Sequence, residues 1–262
     1  KNFLGFINNL PFYGLCLLNL NDINTRSIIN KISRPFKTYG LDIYADYKGK
    51  IVNINSIPST FVYIENDNEY EIKSNMPGKY NAMNALAAIS LARELEIPIK
   101  TIQKAIKNFP GISRRFEIVG EFEVNKKKFT WVDDYGHHPT EIKEVLETIN
   151  NVWKNKRIIM IFQPHRYSRT AEHFNQFVDT LKNVQNLILM EIYAANEHKI
   201  ENICSKALAD EISKYSVNVV LINDHAKLAK FIEKTIQNDD VLLTMGAGDI
   251  SKFNNYFKES LK

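Results

Sequence analysis

The second half of the sequence alternates continuous apolar runs with amphipathic helical patterns, and this alternation constrains the fold more than any other feature. The apolar runs are RIIMIF, NLILMEIY, VNVVLI and DVLLTM, which begin at Arg157, Asn186, Val217 and Asp240. An uninterrupted apolar run of this length is typical of a strand that is buried on both faces. Because helical segments separate these strands, the pattern predicts a doubly wound, mostly parallel α/β sheet of the Rossmann-like type.

Helical patterns fill the gaps between the runs. Apolar residues at helical spacing predict helices at five places, namely after Pro139, over 170–184, over 205–213, from His225 and after Asp249. Two earlier segments, Phe116–Val124 and Phe129–Asp133, alternate apolar with polar residues and predict a pair of strands joined as a hairpin.

The first half has a different pattern. Leu15–Leu20 predicts a short buried strand, and Asp22 is placed to cap a helix that continues to about residue 32. Alternation from Lys37 to Ser74 predicts an antiparallel meander. Tyr80–Leu95 is apolar almost all round, so we expect a helix buried between layers. After a further helix that opens at Pro98, we place a boundary that divides the chain into domains of residues 1–113 and 114–262.

Composition narrows the classes of function. Hydrophobic residues make up 44% of the chain, which is ample for a packed core, and the net charge is only +4 with scattered lysines. We therefore expect no nucleic-acid partner. No run reaches the about 18 apolar residues of a membrane helix, so no membrane is expected. Two cysteines without partner spacing, Cys16 and Cys204, and no recognisable signal peptide indicate a reducing, cytoplasmic compartment.

Polar residues gather where three of the predicted strands end. The first cluster is DDYGHH at Asp133–His138, the second is FQPHRYSRT at Phe162–Thr170, and the third is GAGD at Gly246–Asp249. Open α/β sheets bind their ligands at the carboxyl ends of the strands. We infer that the three clusters form one site.

The second cluster contains the strongest signal for a ligand. Arg166 and Arg169, together with His165, would form a cationic pocket edge that suits a carboxylate or phosphate. The alternative is a fixed network of ion pairs from the arginines to Asp133 or Asp134. We favour binding, because two arginines and a histidine in five loop residues exceed what one strand end needs.

The remaining candidates are weaker. His137 and His138 have no third ligand at helical spacing, so hydrogen bonding is favoured over zinc and no metal site is assigned. The glycines of GAGD serve either a phosphate or a tight turn. Asn81 and Asn84 share a helix face and would pair either with the backbone or with a ligand such as a purine edge. The sequence contains no GxxxxGK[ST], GxSxG, HExxH or GxGxxG motif.

Across nearly its whole length the sequence resembles the Mur ligases. The resemblance rests on the motifs LPFYG, TYG, PGKYNAMNA, GISRRF, DDYGHHPTEI, FQPHRYSRT and GAGDI. It implies the carboxyl-terminal part of an α/β ATP-binding central domain, without its P-loop half, followed by the Rossmann-like domain that binds the amino acid. The implied activity is ATP-dependent formation of an amide bond between L-alanine and UDP-N-acetylmuramate through an acyl phosphate, in peptidoglycan precursor synthesis.

The resemblance also implies roles for single residues. Asn81, Asn84, Arg115 and Asp134 match the nucleotide-side positions of the family, with Asp134 toward the ribose and Arg115 toward the phosphates. Substrate positions, which form the amino-acid pocket and the clamp for the amino acid's carboxylate, match Tyr135, His137, His165, Arg166 and Arg169. The catalytic roles fall to Arg115 and His137. ATP and Mg²⁺ are the implied cofactors, with the Mg²⁺ ligands expected in a part of the family's chain that would precede Lys1.

Two alternatives remain open at this stage. Because the P-loop motif is absent, the chain by itself would be an inactive, ligand-binding fragment. The related ligase that attaches a murein tripeptide has similar motifs.

Overall fold

The computed structural model describes residues 2–261. The chain divides between Pro110 and Gly111 into two compact units. The assignment of domains from the sequence, with its division after residue 113, stays a prediction.

Over its described residues, from Asn2 onward, the first unit contains five strands and four helices. In chain order they are α1 (Asn2–Asn8), β1 (Cys16–Asn19), α2 (Ile23–Ile28), β2 (Phe36–Leu41), β3 (Tyr47–Asn53), β4 (Ser59–Glu65), β5 (Asn68–Ser74), α3 (Lys79–Glu94) and α4 (Ile99–Asn108). The helix start predicted at Asp22 is confirmed, because its carboxylate accepts a hydrogen bond from the Thr25 N–H at 2.8 Å. Helix α2 is shorter than predicted and ends in a 3-10 turn over Ile29–Lys31.

The strands of this unit form one mixed sheet in the order β1-β2-β3-β4-β5. The meander is confirmed for β3, β4 and β5, which pair antiparallel. For β2 it is wrong, because β2 pairs parallel with both β1 and β3. Alternation records that one face of a strand is buried, and it carries no information about the direction of the neighbouring strand.

Helices α3 and α4 supply the apolar side of the first unit's core, which includes Leu86, Ile89 and Ile102 together with Phe61 of β4. The expectation that α3 is buried all round is wrong, since Leu91 on its opposite face is 54% exposed. Alanines outside the buried face, together with Leu91, make this helix look apolar in every direction, although only one face packs against the sheet.

The second unit alternates strands with helices as predicted. Its elements are β6 (Glu117–Val124), β7 (Lys127–Asp134), α5 (Pro139–Val152), β8 (Ile158–Phe162), α6 (Tyr167–Glu172), α7 (Phe174–Leu181), β9 (Asn186–Leu189), α8 (Ser205–Ser213), β10 (Asn218–Leu221), α9 (His225–Thr235), β11 (Asp240–Met245) and α10 (Ile250–Ser260).

Six strands form the sheet of the second unit in the order β10-β9-β8-β11-β7-β6. All neighbours are parallel except β6 and β7, which form the predicted antiparallel hairpin. Side chains alternate between two cores. Met160 of β8 packs with α5, α7 and α8 on one face, and Ile161 packs with α9 and α10 on the other. The doubly wound, mostly parallel sheet is therefore confirmed.

Two predicted elements of the second unit differ in length. The single helix expected over 170–184 is divided at His173, whose backbone leaves the helical region at φ −112° and ψ 20°. The strand that starts at Asn186 ends at Leu189, because its partners β8 and β10 end at the matching register positions, Phe162 and Leu221. Both limits depend on neighbouring elements rather than on local propensity.

Among the described residues, no helix combines the length and the apolar character that crossing a bilayer requires. Cys16 and Cys204 are free thiols, as the spacing predicted. A cytoplasmic location stays a prediction.

Candidate functional site

The three polar clusters lie at one edge of the second unit's sheet. Strands β8, β11 and β7 are parallel neighbours, so their carboxyl ends meet. Beyond the strands, the Gln163 N–H donates to the Met245 carbonyl at 3.0 Å, and the Gly246 N–H donates to the Asp134 carbonyl at 3.1 Å. The structure thus brings together the segments that the sequence analysis combined into one candidate site.

Asp134, at the end of β7, is buried and holds two backbone segments. One carboxylate oxygen accepts from the Gly136 N–H and the other from the Phe116 N–H, each at 2.7 Å. Burial raises the pKa of Asp134 to about 6, although both hydrogen bonds and the charge of Arg115 act in the opposite direction. A carboxylate has about four acceptor positions, so each oxygen retains a free lone pair.

His138 begins helix α5 and is used as its cap. Its Nδ1 accepts from the Thr140 N–H at 3.3 Å, and the Glu141 carboxylate accepts from the His138 N–H at 3.2 Å. Pro139 occupies the first helical position, where no N–H is needed. Burial and the neighbouring His173, whose ring centroid lies 4.6 Å away, lower the pKa of His138. Hydrogen bonding, the preferred interpretation for His138, is what the structure shows.

His137 points its ring between two other aromatic side chains. The ring centroid lies 5.5 Å from that of Tyr135 and 5.6 Å from that of His165. The Nδ1–H donates to the Tyr135 carbonyl at 3.1 Å. In the neutral imidazole this hydrogen bond leaves Nε2 as an acceptor. His137 can therefore take up a proton at Nε2.

The arginine pair follows β8. The Arg169 guanidinium donates to Nδ1 of His165 at 3.2 Å. Burial, together with the charges of His137 and Arg169, lowers the pKa of His165. His165 is therefore a neutral acceptor that orients Arg169, rather than a third cation as the sequence suggested.

Neither arginine of this pair has a salt-bridge partner in the described part of the chain. Within residues 2–261, no carboxylate lies within 4.0 Å of a charged nitrogen of Arg166 or Arg169. Asp133 pairs with a different arginine, and Asp134 is held by backbone amides. The alternative of a fixed network from the arginine pair to these carboxylates is therefore wrong.

Arg114 was missed by the sequence analysis, which assigned a role only to the second arginine of SRRF. Its Nε donates to Asp133 at 3.0 Å, another of its nitrogens donates to the Gly246 carbonyl, and its guanidinium lies over the Tyr135 ring at 5.2 Å. Arg115 lies over the same ring at 5.7 Å. The sequence does not indicate which of the two adjacent arginines faces the sheet. Arg114 has a positive φ of 60°, so the alternation of side chains expected in an extended segment does not hold there.

The glycine cluster after β11 forms a close turn. Gly246 has a φ of 147°, and a Cβ atom there would lie 2.7 Å from the Gln163 carbonyl oxygen. The Gln163 side chain caps the following helix by accepting from the Ile250 N–H at 2.8 Å and donating to Asp249 at 2.6 Å. These contacts match the tight-turn interpretation. Gln163 was also missed, since a lone glutamine in a loop has no distinguishing pattern.

Asn81 and Asn84 lie on α3 in the first unit. Asn81 is buried and its Nδ2 donates to the Pro77 carbonyl at 2.8 Å, so it has a backbone partner. Asn84 is exposed. Of the described residues, no group of three or more histidine, cysteine or acidic side chains could hold a metal ion.

Two family profiles match this chain. Residues 114–248 match the profile described as Mur ligase, glutamate ligase domain, and residues 1–92 match the Mur ligase middle domain. The chain belongs to the Mur ligase family. The resemblance seen in the sequence motifs is therefore confirmed.

Relatives of the family agree with this assignment. A UDP-N-acetylmuramate–L-alanine ligase from Vesicomyosocius okutanii is 42% identical over 253 residues, which are 95% of this chain and 54% of that protein. The chain thus spans about half the length of this curated relative.

Solved structures of the family have the same fold. The UDP-N-acetylmuramate–alanine ligase of Thermotoga maritima matches with a TM-score of 0.69 and 26% identity, over 92% of this chain and 55% of that one. A murein peptide ligase from Psychrobacter arcticus matches with a TM-score of 0.70 and 19% identity, over 99% of this chain and 53% of that one. The second likeness concerns the fold alone.

Proposed function

We propose that this chain supplies the amino-acid-binding part of an ATP-dependent ligase that joins L-alanine to UDP-N-acetylmuramate in peptidoglycan precursor synthesis. The observation that carries the proposal is the pair Arg166 and Arg169, which has no carboxylate partner among the described residues. Arg169 donates to His165, and the ring of His165 lies 5.6 Å from that of His137. The name of the relative that is 42% identical supports the same substrates.

The arginine pair suits the carboxylate of the amino acid. Guanidinium groups bind carboxylates through charge-assisted hydrogen bonds, and a pair that lacks internal partners retains its full charge for a ligand. Arg169 is held in place by His165, so part of the entropy cost of ordering this side chain is met before binding. Tyr135, fixed by Arg114 and Arg115 on its ring, would limit the size of the amino acid's side chain.

For the nucleotide, the proposal assigns residues in each unit taken by itself, namely Asn81 and Asn84 in the first unit and Arg115 and Asp134 in the second. Asn84 has an exposed amide, and Asn81 retains its Oδ1 for a purine edge. Asp134 has one free lone pair on each oxygen for a ribose hydroxyl, and Arg115 carries charge for the phosphates. The family as a whole requires ATP and magnesium. Because the described residues offer no metal site, we assign no Mg²⁺ ligand here.

The proposed reaction has two steps. A carboxylate oxygen of the sugar nucleotide bonds to the γ-phosphorus of ATP and ADP leaves; the amine nitrogen of alanine then bonds to the acyl carbon and phosphate leaves. The amine must lose a proton, and Nε2 of His137 is the acceptor at this edge. Arg115 would stabilise the negative charge of the transferred phosphoryl group.

Substitution of Arg169 in the ligase of which this chain is proposed to be a part, called the complete polypeptide below, tests the proposal. A hydrogen bond to a charged group contributes about 1.5–3 kcal/mol, so Arg169→Ala should weaken apparent alanine affinity at least about tenfold. Steady-state kinetics at saturating ATP and sugar nucleotide measure this. Lys143→Ala, which removes one exposed positive charge from α5, is the matched control and should have no effect. Unchanged alanine affinity in the arginine variant would refute the assignment.

A second candidate is that this polypeptide alone is a ligand-binding module without catalysis, which the absence of a GxxxxGK[ST] motif favours. Incubation of the chain with ATP, Mg²⁺, UDP-N-acetylmuramate and alanine should release no phosphate. Stoichiometric release would contradict this candidate. If murein tripeptide replaced alanine as the better substrate of the complete polypeptide, the related tripeptide ligase would be the correct assignment.

A further inference from the structure

The loop that carries the arginine pair is tied to the loop that follows β9. The Glu197 carboxylate accepts two hydrogen bonds from Ser168, one from its N–H at 3.0 Å and one from its hydroxyl at 2.6 Å. Ser168 lies between Arg166 and Arg169 in the chain. A carboxylate from a neighbouring loop therefore holds the middle of the arginine segment.

Tyr193 makes the other contacts between the two loops. Its ring stacks on His165, with centroids 5.5 Å apart and planes at 18°. Its carbonyl accepts from the Arg166 N–H at 2.8 Å, and its N–H donates to the Pro164 carbonyl at 2.9 Å. The segment before Ser168 is thus fixed at three successive residues.

The arginine segment needs such support. Arg166 has φ 72° and ψ 136°, a backbone conformation that residues other than glycine rarely adopt and that persists only where surrounding contacts enforce it. Helix α6 has only six residues and receives no hydrogen bond from the side chain of its own N-cap residue. Short helices are marginal without tertiary contacts, and an acceptor at their N-terminus satisfies a free N–H group.

We propose that Glu197 is a positioning residue for the arginine pair. Its carboxylate caps the N-terminus of α6 and so sets the backbone from which Arg166 and Arg169 project. The inference rests on the proposed function, since it takes the carboxylate of the amino acid as the ligand of that pair. No residue in this role was apparent from the sequence, because Glu197 lies in a loop, 29 positions from its partner.

The Glu197 carboxylate contacts the first turn of α6 rather than the guanidinium groups of the arginines. Both of its oxygens engage Ser168, and within the described part of the chain neither Arg166 nor Arg169 forms a salt bridge with it. The two hydrogen bonds from Ser168 lower the pKa of the Glu197 carboxyl, and the charge of Arg166 adds a smaller effect. Glu197 is therefore ionised near neutral pH and leaves both guanidinium groups available.

Kinetics of the complete polypeptide test this role. Glu197→Ala should raise the KM for alanine about tenfold, while kcat and the KM for ATP change less than about twofold. Glu197→Gln keeps one acceptor oxygen, so its KM for alanine should lie between that of the parent and that of Glu197→Ala. Asp224→Ala is the matched control, since Asp224 is also a carboxylate at a helix N-terminus, where it accepts from the Lys227 N–H at 2.8 Å as the N-cap residue of α9. It should leave the alanine KM unchanged.

A double-mutant cycle with Ser168→Ala tests the route of the effect. If Glu197 acts through Ser168, the two substitutions should be less than additive in the alanine KM. Additive effects would overturn the proposal, as would an equal rise in the KM of all substrates. If Glu197→Ala fails to fold, Ser168→Ala and Glu197→Gln test the same role, and each should raise the KM for alanine about threefold.

The outcomes separate this proposal from the proposed function. An unchanged alanine KM in Glu197→Ala, with a raised one in Arg169→Ala, would overturn the role of Glu197 and leave the ligase assignment standing. If neither variant altered the alanine KM, the assignment of the amino-acid site would itself fail.

Discussion

The two edges of the second unit's sheet use arginine in opposite ways. At the amino edge, Arg157 precedes β8 and donates to both carboxylate oxygens of Asp240, at 2.9 and 2.6 Å, as well as to the Thr235 carbonyl at 2.7 Å. At the carboxyl edge, Arg166 and Arg169 have no such partner among the described residues. The arginine at the amino edge is neutralised by the fold, whereas the pair Arg166 and Arg169 at the carboxyl edge retains its positive charge.

This difference separates structural arginines from candidate binding arginines more sharply than residue type does. Arg157 forms a salt bridge with a carboxylate that is only 2% exposed. Removing the arginine would therefore leave a buried charge without a partner. The arginine pair is positioned by the imidazole of His165 and by the backbone around Tyr193. Glu197, the carboxylate proposed to position the pair through Ser168, forms no salt bridge with either arginine among the described residues. Removing the pair should therefore cost binding and not stability.

The largest effect is expected at the amino edge. Arg157→Ala should lower the free energy of unfolding by about 3–5 kcal/mol, because it leaves Asp240 buried and unpaired. Lys156→Ala breaks the exposed pair with Asp239 and should cost less than about 1 kcal/mol. Chemical denaturation of both variants measures the difference. Equal losses would break the comparison, since the buried pair would then count for no more than an exposed one.

Gly248→Ala tests whether the carboxyl edge is held by close packing. An added Cβ would lie 2.5 Å from the Gln163 side-chain oxygen and 2.6 Å from Cβ of Tyr193. We expect a loss of about 2–3 kcal/mol in the free energy of unfolding. Gly5→Ala, where the added atom meets nothing within 4 Å, is the control. A Gly248→Ala variant as stable as its parent would mean that this edge is loosely packed.

Asp134 extends the comparison between the two edges, because each edge has a buried carboxylate. At the carboxyl edge Asp134 accepts from backbone N–H groups, whereas at the amino edge Asp240 pairs with an arginine. Burial raises its pKa to about 6, so its contribution to stability is fully present below its ordinary pKa of 3.8 and is lost as pH rises through 6. The free energy of unfolding of the parent should fall by about 3 kcal/mol as pH rises from below 3.8 to above 6, and Asp134→Asn should remove this fall. Asp210→Asn, at an exposed position, is the control in denaturation curves across this range. An identical pH slope in Asp134→Asn and its parent would contradict the shift.

The smallest effect is expected for the arginine pair itself. Replacing both Arg166 and Arg169 with glutamine should change the free energy of unfolding by less than about 0.5 kcal/mol, because no described carboxylate forms a salt bridge with either arginine that the replacement would break. Chemical denaturation of this double variant and of Arg157→Ala under the same conditions compares their free energies of unfolding. A loss as large as that of Arg157→Ala would show that the pair is structural.

The sequence predicted the architecture of the second unit closely. Strands β8 and β11 and helix α8 were predicted at the residues where they occur, because continuous apolar runs and a 3.6-residue period are properties of the local chain. The hairpin of β6 and β7 followed from alternation in the same way. Errors arose where a neighbour decides the outcome, as in the parallel pairing of β2 and the break at His173.

The candidate site was predicted in part. The motifs located the three segments, and the rule that parallel strands share a carboxyl edge brought them together. The sequence could not tell that Asp133 pairs with Arg114, that His165 is a neutral acceptor, or that Glu197 caps α6. Each of these contacts joins residues from different loops, whose distances depend on how the strands are ordered.

The sequence by itself determined the class of fold, the family and the segments that carry ionisable groups, because periodicity and motif spacing are written along one chain. Only the tertiary structure decided which of those groups are neutralised. Arg157 and Arg166 look alike in the sequence, and they differ because strand order places Asp240 within salt-bridge distance of the first and no described carboxylate within that distance of the second. Electrostatic pairing depends on distance in space, and the sheet sets that distance.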